Sequence, residues 1–176
     1  MTSITSLSAD RRFHHVRASA DSLSTRSDRV NAHIEIAKDD PQHDFSWAKI
    51  CARRGVVTRF DLFGQRECLQ AIVAAEACFS LAEAKVTAGS IDDPVDRELA
   101  YLDIIQIEAQ TDIEAAKITM LANIKDLTRR ACANKYISTS LAKSGSLAGA
   151  EMTADSITDD FHRQEALSKI RPQQET

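Results

Sequence analysis

Apolar residues recur at helical spacing through most of the chain, and the longest row lies between Asp93 and Ala133. Its members step by three or four residues and repeat every eleven residues, about 3.67 residues per turn, which is typical of a straight α-helix. They are Leu102, Ile105, Ala109, Ile113, Ala116, Met120, Ile124, Leu127 and Ala131. Asp93-Pro94 supplies an N-cap acceptor followed by proline at the first helical position. The pattern predicts one long helix over 93–133 that other segments must cover.

A second row between Ala9 and Asp39 alternates steps of three and four residues, as in a coiled-coil heptad. Its members are Phe13, Val16, Ala20, Leu23, Ser27, Val30, Ile34 and Ala37. Asp40-Pro41 ends the predicted helix, because the residue before proline avoids the helical region. Two interpretations stay open: the row packs inside its own bundle, or it docks on another chain. In the second case the candidate partner-binding residues are Phe13, Val16, Leu23, Val30 and Ile34.

A third periodic segment predicts a helix from Arg59 to about Ala88. Thr58 is suited to cap its start and Gly89-Ser90 to end it. The loop to Asp93 is short, so this helix and the 93–133 helix are expected to form an antiparallel hairpin. A short helix starting at Ser46 precedes them.

The two ends of the chain carry weaker patterns. Residues 1–8 are rich in Ser and Thr, which predicts a disordered tail. Residues 138–150 are rich in Ser, Gly and Ala and are interpreted as a linker, followed by a short amphipathic helix over about 156–170. The predicted organisation is a tail (1–8), a helical bundle (9–136), and a flexible linker with a C-terminal helix (137–176).

Composition supports a helical protein, since the chain has 5 Gly, 3 Pro and 5% aromatic residues. We predict an all-α fold: an elongated antiparallel helical hairpin or bundle of three to four helices with coiled-coil-like packing. The richest apolar segment, Leu69 to Ala84, is interrupted by Glu76 and Glu83, so no membrane span is expected.

The net charge and the spacing of the cysteines indicate which partners and which compartment to expect. The formal net charge of −4 gives no overall attraction to nucleic acid or to an anionic membrane, so neither is the expected partner. The four cysteines form no C-x-x-C pair, which indicates free thiols in a reducing, cytoplasmic compartment. The Ser/Thr-rich start leaves a second location open, namely export without a cleaved signal peptide.

The sequence contains no recognisable catalytic motif. A di-metal helical bundle needs Glu-x-x-His pairs, and the 93–133 segment has no histidine. Gly-rich phosphate loops, G-x-S-x-G and H-E-x-x-H are also missing from the sequence. We therefore expect a protein that is not an enzyme, with no catalytic residues, cofactor or metal ligands.

The segment 46–66 faintly resembles a helix-turn-helix, with a short helix, a turn at Gly55 and a capped second helix. It is the most basic region, and its candidate nucleic-acid contacts are Lys49, Arg53, Arg54 and Arg59. Asp61 departs from the motif, because an aliphatic residue is expected there. Gly64 is also poor at a position that should make a core contact. A DNA-binding regulator is therefore kept as the alternative function.

The leading hypothesis is a non-enzymatic interaction or assembly protein. It would bind a protein partner or itself, forming an oligomer, through long apolar helix faces. Within that class, an exported effector, a component or a chaperone of a bacterial secretion system is the subtype suggested by the tail composition and the helical build.

Overall fold

The described part of the chain is built from helices. The computed structural model describes residues 16–40, 42–54 and 59–171, and the backbone alone over residues 59–63. In chain order the helices are α1 (residues 16–21), α2 (Arg26–Asp39), α3 (Ser46–Arg53), α4 (Arg59–Ala77), α5 (Leu81–Gly89), α6 (Pro94–Thr111), α7 (Ile113–Asn123), α8 (Leu127–Lys143), α9 (Leu147–Asp155) and α10 (Asp160–Ile170). None of the residues in these ranges is in a β-strand, which confirms the all-α class. The predicted bundle of three to four long helices is wrong, because the chain forms more and shorter helices.

Helix α6 lies at the centre of the fold. Asp93 caps its start as predicted, accepting hydrogen bonds from the backbone N–H groups of Val95 and Asp96. The helix packs against α4, α5, α7 and α8. Ala100 and Ile104 are completely buried. The apolar row predicted for this segment is therefore covered by neighbouring helices, as expected.

Two apolar clusters hold the helices together. The main cluster takes side chains from α2 to α8 and includes Val30, Ile72, Ile105 and Ile137. A smaller cluster joins α8 to α9 and α10 and is made mostly of alanines, with Ile157 and Ile170 as its larger members. Helix α8 belongs to both clusters, so it connects the C-terminal helices to the rest of the fold.

The prediction of one helix over 93–133 is wrong. The backbone leaves the helical region at Asp112 (φ −147°, ψ 95°) and again at Ile124. The Asp112 carboxylate accepts from the Ala115 N–H at 3.0 Å, and Asp126 accepts from the Arg129 N–H at 2.9 Å. Each break is therefore the capped start of a new helix. The apolar row stays largely buried across α6, α7 and α8, with Leu127 as an exception at 71% exposure.

The predicted hairpin partner over 59–88 is also divided, because the chain leaves the helix after Ala77 and restarts as α5. The Ser80 hydroxyl accepts from the backbone N–H of Glu83 and caps this new start. Both α4 and α5 pack on α6. The elongated two-helix hairpin is thus replaced by shorter helices grouped around α6.

The heptad helix predicted over 9–39 is interrupted as well. Residues 22–25 separate α1 from α2, and the Thr25 side chain accepts from the Asp28 N–H to begin α2. Ser27, the polar member of the heptad row, is exposed. Residues 1–8 and Phe13 lie outside the described residues.

Helices also occupy the predicted linker. Helix α8 continues to Lys143 and α9 begins at Leu147. The prediction of a linker over 138–150 is therefore wrong. Small residues suit this region, because Ala142, Ala150 and Ala154 are buried where α8 and α9 approach each other. Among the described helices, none has the length and apolar character needed to cross a membrane.

Replacing Asp112 by alanine should destabilise the chain by about 1 kcal/mol, because the Ala115 N–H at the start of α7 loses its acceptor. Asp112→Asn is the matched control, since its amide oxygen can still accept. Urea unfolding followed by circular dichroism measures both. An alanine variant as stable as the asparagine variant would mean that the break between α6 and α7 does not depend on the cap.

Candidate functional site

A shallow apolar groove lies between α1 and α2. It is lined by Val16 and Leu23, which are 48% and 39% exposed, and by Ala32 and Ile36 of α2. Two acidic residues, Glu35 and Asp39, stand at its edge. The groove is therefore apolar inside and negative at one rim.

The predicted partner-binding residues are divided between the surface and the core. Val16 and Leu23 line the groove. Val30 and Ile34 are 0% and 5% exposed and belong to the main apolar cluster, so they pack within the chain. Val16 lies on α1, Leu23 lies in the break between α1 and α2, and Val30 and Ile34 lie on α2, so the heptad row is not one continuous helix face.

A second apolar surface lies on α7. Ile118 and Leu121 are 68% and 64% exposed and stand one helical turn apart. Lysines flank them, Lys117 on the same helix and the exposed Lys125 just after it. We call Ile118 and Leu121 the α7 ridge. Its border carries Lys125 and the ion pair between Lys117 and Glu114.

Lys49, the first predicted nucleic-acid contact, lies in a cleft where α3 faces α4 and α5. Its ammonium lies 2.6 Å from Glu76 and 3.8 Å from Glu83. The cleft has a volume of about 450 Å³ and is also lined by His43 and Phe79. Their rings stack with centroids 4.0 Å apart. Two carboxylates therefore offset the Lys49 charge.

Of the other basic candidates, Arg53 and Arg54 lie within the described residues. The Arg53 guanidinium donates to the Ser90 hydroxyl at 3.1 Å, and Arg54 is exposed at the end of α3. The Arg59 side chain lies outside the described residues. Contact of this segment with nucleic acid stays a prediction.

Three side chains from different helices converge beside the groove. They are Asp21 at the end of α1, His33 of α2 and Cys51 of α3. The His33 Nε2 atom lies 2.9 Å from an Asp21 carboxylate oxygen, and the Cys51 thiol donates to the same oxygen at 3.8 Å. Burial and the nearby Asp21 charge raise the pKa of the Cys51 thiol above its usual value. Nitrogen, oxygen and sulfur ligands of this kind can hold a metal ion.

A thiol and an imidazole also meet in the C-terminal helices. The Cys132 sulfur lies 3.4 Å from His162 Nε2, and Glu165 lies 4.0 Å from the other ring nitrogen. Burial raises the pKa of the Cys132 thiol, so the protonated form is favoured at neutral pH. Lys135 and Lys169 donate to Glu165 and lower its pKa. Glu165 thus serves mainly as an ion-pair partner of these lysines.

Sequence reasoning missed the Asp21–His33–Cys51 cluster and the acidic cleft around Lys49. The cluster residues are widely separated in the sequence and match no metal-binding motif. The glutamates of the cleft lie on α4 and α5, at positions that resemble ordinary solvated acids.

No protein-family model matches the chain, and no curated protein or solved structure is significantly similar to it.

Proposed function

We propose that this protein is a helical assembly protein that binds further copies of itself, with the α7 ridge of one copy seated in the α1–α2 groove of the next. The observation that carries the proposal is the complementarity of the two surfaces. One is a concave apolar strip with acidic residues at its rim, and the other is a convex apolar ridge bordered by lysines. Helix-in-groove docking uses such surfaces.

The side chains have suitable sizes for this contact. Ile118 and Leu121 project from one side of α7 at a spacing of three residues, as the anchors of a docking helix do. Ala32, which also lines the groove, is small and leaves room beside Val16 and Leu23. Burial of each large aliphatic side chain contributes about 1.5–3 kcal/mol, against the entropic cost of association.

The charged borders favour one orientation. Glu35 and Asp39 border the groove, while Lys117 and Lys125 border the ridge. Glu35 and Lys117 each take part in an exposed ion pair within the chain, with Lys38 and Glu114 respectively. Exposed pairs contribute little to stability, so these groups are free to exchange partners when two copies meet. Attraction between the borders should weaken as salt rises.

We propose that the contact is head-to-tail, and therefore heterologous, with the ridge of each copy in the groove of the next. Such contacts produce rings or open filaments rather than two-fold dimers. The helix-turn-helix alternative receives less support, since Glu76 and Glu83 lie close to Lys49 and offset its charge.

Two surface substitutions test the proposal. Leu23→Asp places a charge in the apolar groove, and Leu121→Asp places one on the α7 ridge. Val86→Asp, at a 68% exposed position on α5, is the matched control. Sedimentation velocity of the unmodified protein should show a mass that rises with concentration beyond a dimer. Each groove or ridge variant should be monomeric by itself, and the control should assemble like the unmodified protein.

Mixing the two monomeric variants gives the decisive measurement. Each retains one intact surface, so an equimolar mixture should form a one-to-one dimer and stop there. A monomeric unmodified protein at all concentrations would overturn the proposal. A mixture that stays monomeric would also overturn it, because the two surfaces would then not bind each other.

A further inference from the structure

We propose that Asp21, His33 and Cys51 form a binding site for a divalent transition-metal ion of the Zn²⁺ type. The proposal is independent of self-assembly and rests on convergence in space. The three ligand atoms come from α1, α2 and α3, and all lie within 4.8 Å of one another. A metal ion bound there would join the end of α1 to α2 and α3.

The separations suit a tetrahedral ion. Zn–N and Zn–O bonds of about 2.0–2.2 Å and a Zn–S bond of about 2.3 Å place neighbouring ligand atoms about 3.3–3.7 Å apart in a tetrahedron. The observed separations are 2.9 Å between His33 and Asp21 and 3.8 Å between Cys51 and Asp21. The third separation, between His33 and Cys51, lies within 4.8 Å, so binding of an ion requires all three pairs to adjust toward about 3.3–3.7 Å.

The charges of the ligands also suit the ion. A divalent cation with one thiolate and one carboxylate forms a neutral unit, which lowers the cost of placing charge beside the buried His33 and Cys51. On binding, the Cys51 thiol releases its proton to solvent and the neutral imidazole binds through Nε2. Cysteine and histidine together favour Zn²⁺ over Mg²⁺ or Ca²⁺, which prefer oxygen ligands.

The His33 imidazole is buried beside the other two ligands. Its side chain is 1% exposed, and the Nδ1 atom has no hydrogen-bond partner among the described residues. Leaving a buried polar atom unpaired costs about 1–3 kcal/mol. An ion bound through Nε2 would not remove this cost, so the proposal rests on the convergence of the three ligand atoms.

Three protein ligands leave a fourth position for water, as in open zinc sites. The side chain of Asp21 is 40% exposed, whereas His33 and Cys51 are buried. Solvent therefore reaches the cluster from the Asp21 side, which gives an ion a route of entry.

The test is a Co²⁺ titration of the full chain under reducing conditions after treatment with a chelator. Tetrahedral Co²⁺ with a thiolate ligand gives intense visible bands and a near-ultraviolet charge-transfer band. The single tryptophan, Trp47, has its ring centroid 6.2 Å from that of His33, so its fluorescence should be quenched in parallel. We expect one Co²⁺ per chain, displaced by one Zn²⁺.

Three ligand variants and two thiol controls complete the test. Cys51→Ser should abolish the charge-transfer band, and His33→Gln should weaken binding beyond the roughly 10–100-fold typical of an outer-sphere residue. Asp21→Asn should lower affinity while retaining the thiolate band, and its partly exposed site makes it the variant least prone to unfold. Cys78→Ser and Cys132→Ser should bind as the unmodified protein does.

Several outcomes would overturn the site. One is a titration of the unmodified protein that gives no visible bands. Another is a spectrum unchanged by Cys51→Ser, and a third is a spectrum lost in Cys78→Ser, because Cys78 is exposed and is the obvious adventitious ligand. An Asp21→Asn variant that binds Co²⁺ as tightly as the unmodified protein would show that the carboxylate is not a ligand. The proposed site needs three ligands, so this result would also overturn it.

Discussion

Replacing Lys85 by methionine should destabilise the protein by about 2–3 kcal/mol, less than the roughly 3–5 kcal/mol typical of a fully buried ion pair, because the Lys85 side chain is 39% exposed. The Lys85 ammonium lies 2.5 Å from Oε1 of Glu108, whose side chain is 2% exposed. The second carboxylate oxygen, Oε2, has no hydrogen-bond partner among the described residues. Lys85 therefore compensates most of the negative charge that α6 places in the core, and methionine would leave this charge uncompensated.

The double variant Lys85→Met/Glu108→Leu separates this cause from lost packing. Replacing both members of a buried pair by apolar residues is often neutral or stabilising, so the double variant should recover most of the lost stability. Lys38→Met is the matched surface control, because its partner Glu35 is 70% exposed and the pair should contribute less than about 1 kcal/mol. Urea unfolding of the four proteins measures these differences. A single variant within 1 kcal/mol of the unmodified chain would show that Glu108 does not depend on Lys85.

The helical class and most buried positions were predictable, because they follow from the spacing of apolar residues. Ile105, Ala109, Ala116 and Ile124 were placed on one apolar row, and all are buried. Periodicity reports which side of a helix is apolar, and it continues across a break when the next helix packs against the same core. For this reason the row between 93 and 133 could not reveal that it runs through α6, α7 and α8.

The breaks themselves depend on residues with an ambiguous sequence signal. Asp112 and Asp126 are good N-caps, but aspartate also occurs on the exposed face of uninterrupted helices. Ser80 was the clearest missed signal, since Ser80-Leu-Ala-Glu83 has the spacing of a capping box. The continuous apolar pattern around it outweighed this local evidence.

The two candidate sites also show what the spacing of residues in the sequence cannot locate. The heptad row identified Val16 and Leu23, which line the groove, but the same row contains Val30 and Ile34, which are buried. The metal cluster has no local spacing to recognise, because Asp21, His33 and Cys51 come from three helices. Only the packing of those helices brings the ligands together.

Replacing Glu98 by alanine should destabilise the protein by about 2–4 kcal/mol, because this carboxylate holds the turn between α7 and α8 from a position on α6. It accepts hydrogen bonds from the backbone N–H groups of Lys125 at 3.2 Å and Asp126 at 3.4 Å, and from the Arg129 guanidinium at 3.2 Å. Glu98 is 9% exposed, so water would replace these contacts poorly. Hydrogen bonds to charged groups contribute about 1.5–3 kcal/mol each and are not additive within one network.

Two further variants show whether the loss comes from the turn or from the ion pair with Arg129. Glu98→Gln retains an acceptor for the backbone N–H groups and removes the charge, so it should lose less stability than alanine. Arg129→Met removes the ion pair and leaves both backbone hydrogen bonds in place. Amide hydrogen exchange at Lys125 and Asp126 should accelerate strongly in Glu98→Ala and only slightly in Arg129→Met. Equal acceleration in both variants would mean that the ion pair, and not the backbone acceptor, fixes this turn. In that case the second break in the central apolar row would depend on a charge contact between α6 and α8.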